Sequence, residues 1–182
     1  MKIGLVCPYN ISKGGGVQEI VLATKAELTK RGHDVKIITP LHREMENIEL
    51  PDVIFVGSST DFRSPTHTHV QVGATSDSDK IEEMLAEEQF DIIHFHEPWV
   101  PMISRQILQK STCVNIATFH AKVPETIMSR TLAKVVTPYL KSVLKYLHVL
   151  TAVSDAGAEY VTGLTDEPVT IIPNGIDLTK YQ

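Results

Sequence analysis

The sequence predicts a Rossmann-like three-layer α/β fold built on a mostly parallel sheet. Three observations carry that expectation. Short apolar runs recur at 2–6, 34–39, 53–57, 70–72, 91–95, 114–118, 149–153 and 169–172, and runs of this kind suit strands buried on both faces. Most of the later gaps hold helix-length segments, the rhythm of a parallel sheet with helices on both sides. A triple glycine, Gly14-Gly15-Gly16, stands where the first strand hands over to a helix, and ligands of open α/β sheets bind at such strand ends.

The elements follow in order. Ile3 to Val6 suits a central strand. Val17, Ile20, Val21, Thr24 and Leu28 then fall at helical spacing, so a first helix is expected from Gly16 to Arg31, closed by Gly32 and followed by the strand 35–39. Between Leu41 and Gly73, short β-like pieces mix with Ser58-Ser59-Thr60, Ser64-Pro65 and Thr66-His67-Thr68-His69, an excursion that reads as a substrate loop or an edge hairpin. Asp79 to Gln89 reads as an acidic surface helix. Asp91-Ile-Ile-His-Phe-His-Glu-Pro is a strand ending in polar residues, and Pro98 opens a segment with the only tryptophan, Trp99. The strand 114–118 leads to His120. Leu150-Thr-Ala-Val-Ser-Asp155 is a strand entering a helix capped by Ser154 or Asp155, and Ile171-Ile-Pro-Asn-Gly-Ile-Asp177 closes the last strand in a turn.

Length and charge narrow the function. A chain of 182 residues favours one domain. Lys plus Arg number 17 against Asp plus Glu 22, a net charge of -5, which disfavours a nucleic-acid partner. No run approaches the roughly 20 apolar residues of a membrane span, and the start is too short for a signal peptide, so a cytoplasmic location is expected. Cys7 and Cys113 lack metal-knot spacing and are expected as buried free thiols.

Charge is locally uneven. Lys122, Arg130, Lys134, Lys141 and Lys145 face the single acid Glu125 between 122 and 148, interleaved with Ile127, Leu132, Val135, Val136, Leu140, Val143, Leu144 and Leu147. Pro138 is expected to kink or divide that helix. Its five cations are membrane-facing candidates for an anionic surface, at about 1 kcal/mol each, which would place the protein peripherally at the inner face of a membrane. The plainer reading is a core-facing helix with a solvated outer side.

The glycine loop has a chemical reading and a bland one. A helix start with unpaired N–H groups and no Cβ atoms admits a diphosphate; a flexible turn would need nothing more than glycine. The dinucleotide fingerprint fails, because Glu19 stands where its third glycine belongs and Thr39-Pro40 ends the second strand without an acid. No Gly-Lys-Ser/Thr follows, so the loop is not of Walker type. His94 and His96 share one strand face beside Glu97, but without a third ligand they read as strand-end hydrogen-bonding residues, as does the pair His67/His69, and no metal is expected. His120 lies at a carboxyl end beside the glycine loop, as open to an active-site role as to a structural one.

Taken together, Gly15-Gly16-Val17-Gln18, His94-x-His96, Ala117-Thr-Phe-His120 and Pro173-Asn-Gly-Ile-Asp177 resemble the N-terminal domain of family 4 retaining glycosyltransferases of the GT-B fold. The resemblance covers essentially the whole chain and is strongest toward phosphatidylinositol mannosyltransferase-like members. It implies that residues 1–172 form a Rossmann-like acceptor-side domain, that 173–182 begin an interdomain linker, and that a second domain holding the nucleotide lies beyond. It implies Gly15 and Gly16 at the donor diphosphate, His120 as the catalytic residue beside the donor sugar, and Tyr9 and Gln18 at the acceptor. His69 stands where those members place an arginine on the acceptor's phosphate, a departure that points away from phosphatidylinositol itself. The reaction implied moves a hexose from a nucleoside-diphosphate sugar, with retention and without a side-chain nucleophile, to a hydroxyl of a lipid or polyol. No cofactor is implied beyond that donor substrate. The isolated chain is expected to turn over little. The rival from another class is a non-catalytic Rossmann-like module binding a phosphorylated ligand through the glycine loop.

Overall fold

The computed structural model describes the backbone of residues 1–41, 50–63, 69–74, 78–100, 103–121 and 130–176, and side chains within 1–41, 50–57, 79–100, 103–121 and 137–176. Its elements are β1 (Lys2–Val6), α1 (Gly16–Lys30), β2 (Asp34–Leu41), β3 (Val53–Arg63), β4 (His69–Ala74), α2 (Ser78–Glu88), β5 (Ile92–His96), α3 (Ile103–Lys110), β6 (Val114–Phe119), α4 (Arg130–Leu144), β7 (Val149–Ala152), α5 (Asp155–Thr162) and β8 (Val169–Ile171). The strands form one sheet of order β4-β3-β2-β1-β5-β6-β7-β8. All neighbours run parallel except β3 and β4. The expected fold class is therefore the observed one, and the excursion after Leu41 contains an antiparallel edge hairpin.

Apolar residues on the two sides of each strand build two packing layers. Ile3, Leu5 and Cys7 of the β1 segment pack with Val35 and Ile37 of β2 and with Val21 of α1. On the opposite face, Val6, Ile38, Ile93 and Phe95 meet Ile81 and Met84 of α2, Ile103, Ile107 and Leu108 of α3, and Val143 of α4. Ala117, Phe119, Leu150 and Ala152 continue that face under Ala158 and Val161 of α5. Helices thus cover both faces, with α1 alone on the first among the described helices.

Helix ends follow local chemistry. Gly32 has φ 85°, a left-handed value that glycine tolerates. There Gly32 N–H reaches Thr29 O at 2.9 Å and His33 N–H reaches Leu28 O at 3.1 Å, pairing the last carbonyls of α1 as a Schellman turn does. Ser154, not Asp155, caps α5, its Oγ accepting from Gly157 N at 3.2 Å. Pro138 neither ends nor divides α4, which runs through it. Leu140 and Val143 are buried just beyond it, and such packing can offset the roughly 3 kcal/mol that an interior proline costs.

Candidate functional site at the carboxyl edge of the sheet

The chain leaves β1 outward through β2 and β3, then returns to β1's other side as β5. This reversal makes the β1/β5 boundary a topological switch point, where the loops after adjacent parallel strands diverge and leave a crevice. The segments after β1, β5 and β6 all emerge on this edge. They carry Tyr9 and the glycines, Glu97, and His120.

The β1 segment is tied down before the glycines begin. Thr39 Oγ1, at the end of β2, donates to Tyr9 O at 2.8 Å. Asn10 is fully buried, and its Oδ1 accepts from Ser12 N at 3.0 Å and Ser12 Oγ at 2.8 Å. Gly15 is the N-cap of α1 and makes no side-chain cap bond, so the first-turn N–H groups and the positive end of the helix dipole keep their capacity for an anion. A Cβ on Gly14 or Gly16 would meet nothing within 4 Å. One on Gly15 would stand 2.5 Å from Gln18 Oε1. Gln18 folds back over Gly15, its Nε2 donating to Asn10 O at 3.4 Å.

Histidines and threonines form a second cluster. Parallel register pairs His94 with Ile116, His96 with Thr118, and Thr118 with Thr151. With side chains alternating along each strand, His94, His96, Thr118 and Thr151 share one sheet face. Thr151 Oγ1 gives its only proton to Ala117 O at 2.9 Å. Thr118 must then donate to Thr151 Oγ1 at 2.7 Å, and His94 Nε2–H must donate to Thr118 Oγ1 at 2.6 Å. The His94 ring stacks on His96 with centroids 4.4 Å apart, and His96 on His120 at 5.2 Å. His96 Nδ1 and His120 Nε2 are hydrogen-bonded at 2.9 Å.

Glu97 closes the cluster from the backbone side. It is 1% exposed, has φ 51°, and accepts His120 N–H at 2.6 Å and Ala121 N–H at 2.8 Å through Oε1. A non-glycine residue in the left-handed region is uncommon and gathers at functional sites. The aligned pair of N–H groups fixes the start of the segment after β6.

Burial dominates the electrostatics. It pushes Glu97 up to about 7, against the pull of the His120 and Ala121 N–H groups and the Trp99 side chain. It pushes His94 down to about 4, helped by His120. His96 falls well below its usual value through burial and its two histidine neighbours, and His120 falls through burial. All three rings are therefore neutral at pH 7. Tyr9 is raised by burial and then by the Glu97 charge. Burial also raises Cys7 to about 12, an inert thiol. Cys113 is half-buried rather than buried.

The sequence-derived site residues thus divide. Gly15, Gly16 and Gln18 lie together at the start of α1, and Tyr9 lies within electrostatic reach of Glu97. His120 sits against His96 and Glu97. His69 pairs with Arg63 in the edge hairpin, which extends past the end of β2 on this same side, three strands from β1. Lys122 lies outside the described residues, while Arg130 and Lys134 are placed only as backbone in α4. Lys141 and Lys145 are exposed, whereas Leu140 and Val143 face the core, as the core-facing reading of this helix expects. Among the described residues no group of three or more His, Cys, Asp or Glu could hold a metal ion, and no helix is long and apolar enough to cross a membrane. Reading the sequence left Glu97 and the two threonines without roles. The available signal was a polar residue at the end of each of three apolar strands.

Comparisons with known proteins identify a family by sequence and a shared fold by structure. A profile of Glycosyltransferase Family 4 matches residues 14–180. Phosphatidyl-myo-inositol mannosyltransferase of Mycolicibacterium smegmatis is 28% identical over 191 residues, covering 100% of this chain and 45% of that protein. Its counterpart in Propionibacterium freudenreichii subsp. shermanii is 30% identical over 189 residues, covering 100% and 48%. The chain thus spans about half the length of these relatives. Among solved structures, Anabaena HepE in complex with UDP-glucose matches at TM-score 0.64 and 16% identity, over 100% of this chain and 46% of that one. Sucrose-phosphate synthase from Thermosynechococcus elongatus matches at TM-score 0.64 and 15% identity, over 98% and 49%. These structures share the fold of the chain.

Proposed function

The chain belongs to glycosyltransferase family 4, and from that premise we propose that it forms one wall of an active site that transfers a hexose from a nucleoside-diphosphate sugar to a hydroxyl. One observation carries the reading: an uncapped helix start with open space at Gly16 and a half-buried His120 clamped by His96 and Glu97 share the switch-point edge of the sheet. In this reading the first-turn N–H groups after Gly15 and Gly16 bind the diphosphate. His120 contacts the donor hexose, and Tyr9, Gln18 and His69 line the acceptor side. The bond from the anomeric carbon to the diphosphate oxygen breaks, the acceptor oxygen bonds to that carbon on the same face, and the acceptor proton passes to the departing phosphate. Glu97 is not assigned as a nucleophile in this reading: two backbone N–H groups occupy its Oε1, and its Oε2 is buried.

A lipid or polyol hydroxyl is the proposed acceptor, in keeping with relatives named for phosphatidyl-myo-inositol. The exposed Lys141 and Lys145 would favour an anionic membrane surface over which such a lipid is met. Because the relatives are about twice as long, activity is proposed for the protein at their length. The test is nucleoside-diphosphate release by that protein from a panel of UDP- and GDP-hexoses, with His120→Ala alongside. His120→Ala should lower turnover far more than stability. Unchanged kinetics at saturating donor and acceptor would remove His120 from the site.

A further inference from the structure

The ring of His120 does not stand alone. We propose that His96 is a positioning residue that fixes His120 as its Nδ1–H tautomer, so that His120 meets an oxygen of the bound ligand as a neutral hydrogen-bond donor rather than as a base. The inference rests on the reading above for its ligand, a hexose hydroxyl. Its structural part stands on this chain alone.

His96 Nδ1 and His120 Nε2 are 2.9 Å apart, so one of the two nitrogens carries the shared proton. If His120 were the donor, the proton of neutral His96 would sit on Nε2. That atom is buried and finds no hydrogen-bond partner among the described residues. A buried N–H without an acceptor is rarer and more costly than a bare acceptor lone pair. His96 therefore carries its proton on Nδ1 and donates it to His120 Nε2.

Among the described residues, His94 offers His96 no easier arrangement. His94 stacks against it with 29° between the ring planes, and the Nε2–H of His94 is committed to Thr118. The lone pair of His120 Nε2 is then occupied, leaving Nδ1–H as the ring's remaining polar group. Glu97 meanwhile holds the His120 backbone N–H at 2.6 Å. Consecutive residues at the end of β5 thus fix the ring and the backbone of one histidine. Which ring nitrogen of a histidine is protonated is commonly set in this way by the partner of the other.

The test is long-range proton–nitrogen correlation NMR on the histidine-labelled chain at pH 7. His120 should appear as the Nδ1–H tautomer in the native protein. His96→Phe keeps an aromatic ring in the stack but has no donor, and His120 should shift to Nε2–H. His96→Asn restores an amide N–H near the Nδ1 position and should return His120 to Nδ1–H. Native His120 in the Nε2–H form would overturn the proposal, as would an Nδ1–H form that persists in His96→Phe. If the tautomers behave as stated but His120→Ala leaves turnover of the full-length protein unchanged, the positioning stands and the catalytic reading falls.

Discussion

Replacing Glu97 by glutamine is expected to remove one component of the pH dependence of stability and leave the fold in place. The amide oxygen of glutamine can still accept the N–H groups of His120 and Ala121, now held by Glu97 Oε1 at 2.6 and 2.8 Å. What disappears is the titration. Burial lifts the Glu97 carboxyl from 4.5 to about 7. Between those values the folded chain retains a proton that the unfolded chain has released, so rising pH favours unfolding over that window and the effect is complete above it. At 1.36 kcal/mol per unit, the loss between pH 4.5 and 7 is about 3 kcal/mol. The three histidines act with the opposite sign. Their lowered values make the unfolded state the stronger proton binder below 6.5, so they add stability as pH rises toward neutrality. Subtracting the two urea-unfolding curves, native minus Glu97→Gln, at each pH cancels the histidines. The difference should fall by about 3 kcal/mol from pH 4.5 to 7 and stay level above. A flat or rising difference would refute the assignment of a buried, proton-holding Glu97.

Other expectations follow from the same geometry. Glu97→Ala strips the acceptor from two backbone N–H groups near a buried position and should cost about 2–5 kcal/mol more than Glu97→Gln in thermal or urea unfolding; equal stabilities would show that the bonds contribute nothing. Gly16→Ala meets open space in the free protein, so helix propensity should raise stability by about 0.5–1 kcal/mol while diphosphate affinity drops; undiminished affinity by calorimetry would move the ligand elsewhere. Thr118→Val leaves the His94 Nε2–H without its acceptor and should lower stability by about 1–3 kcal/mol, whereas an unchanged urea midpoint would reverse the proton order assigned to that chain. Binding to anionic liposomes should be salt-sensitive and weakened by Lys141→Glu with Lys145→Glu, since the buried Leu140 and Val143 offer no apolar face to a bilayer; salt-resistant binding would contradict this.

How far the sequence could be read depended on the range of the interactions. Parallel strands such as Ile92–His96 and Val114–Phe119 are buried on both faces, so each carries its own apolar signature, and each of the eight expected strands has a counterpart among the described residues. The end of α1 was equally local, because Gly32 alone supplies the left-handed turn. The β3–β4 hairpin was only half legible: its polar residues and Ser64-Pro65 fit an edge strand as well as a loop, and only pairing distinguishes them. Pro138 lies inside α4 without dividing it, and the packing of Val143, which can offset the local backbone cost, depends on the distant sheet. At the site, the glycine loop was visible as spacing. The His96–His120 bond was not, because it exists only through the register that sets β5 beside β6. Glu97 stayed hidden for the same reason: its partners lie at His120 and Ala121, 23 and 24 residues away.

If the glycine start of α1 and the clamped His120 form a single ligand wall, amide NMR of the chain during titration with a nucleoside-diphosphate hexose should report on both at once. The backbone signals of Gly15, Gly16 and Val17 should shift together with that of His120 on one saturation curve, and Gly16→Ala should weaken the response at both places. Shifts confined to other parts of the sheet, or a glycine response that saturates without His120, would contradict it.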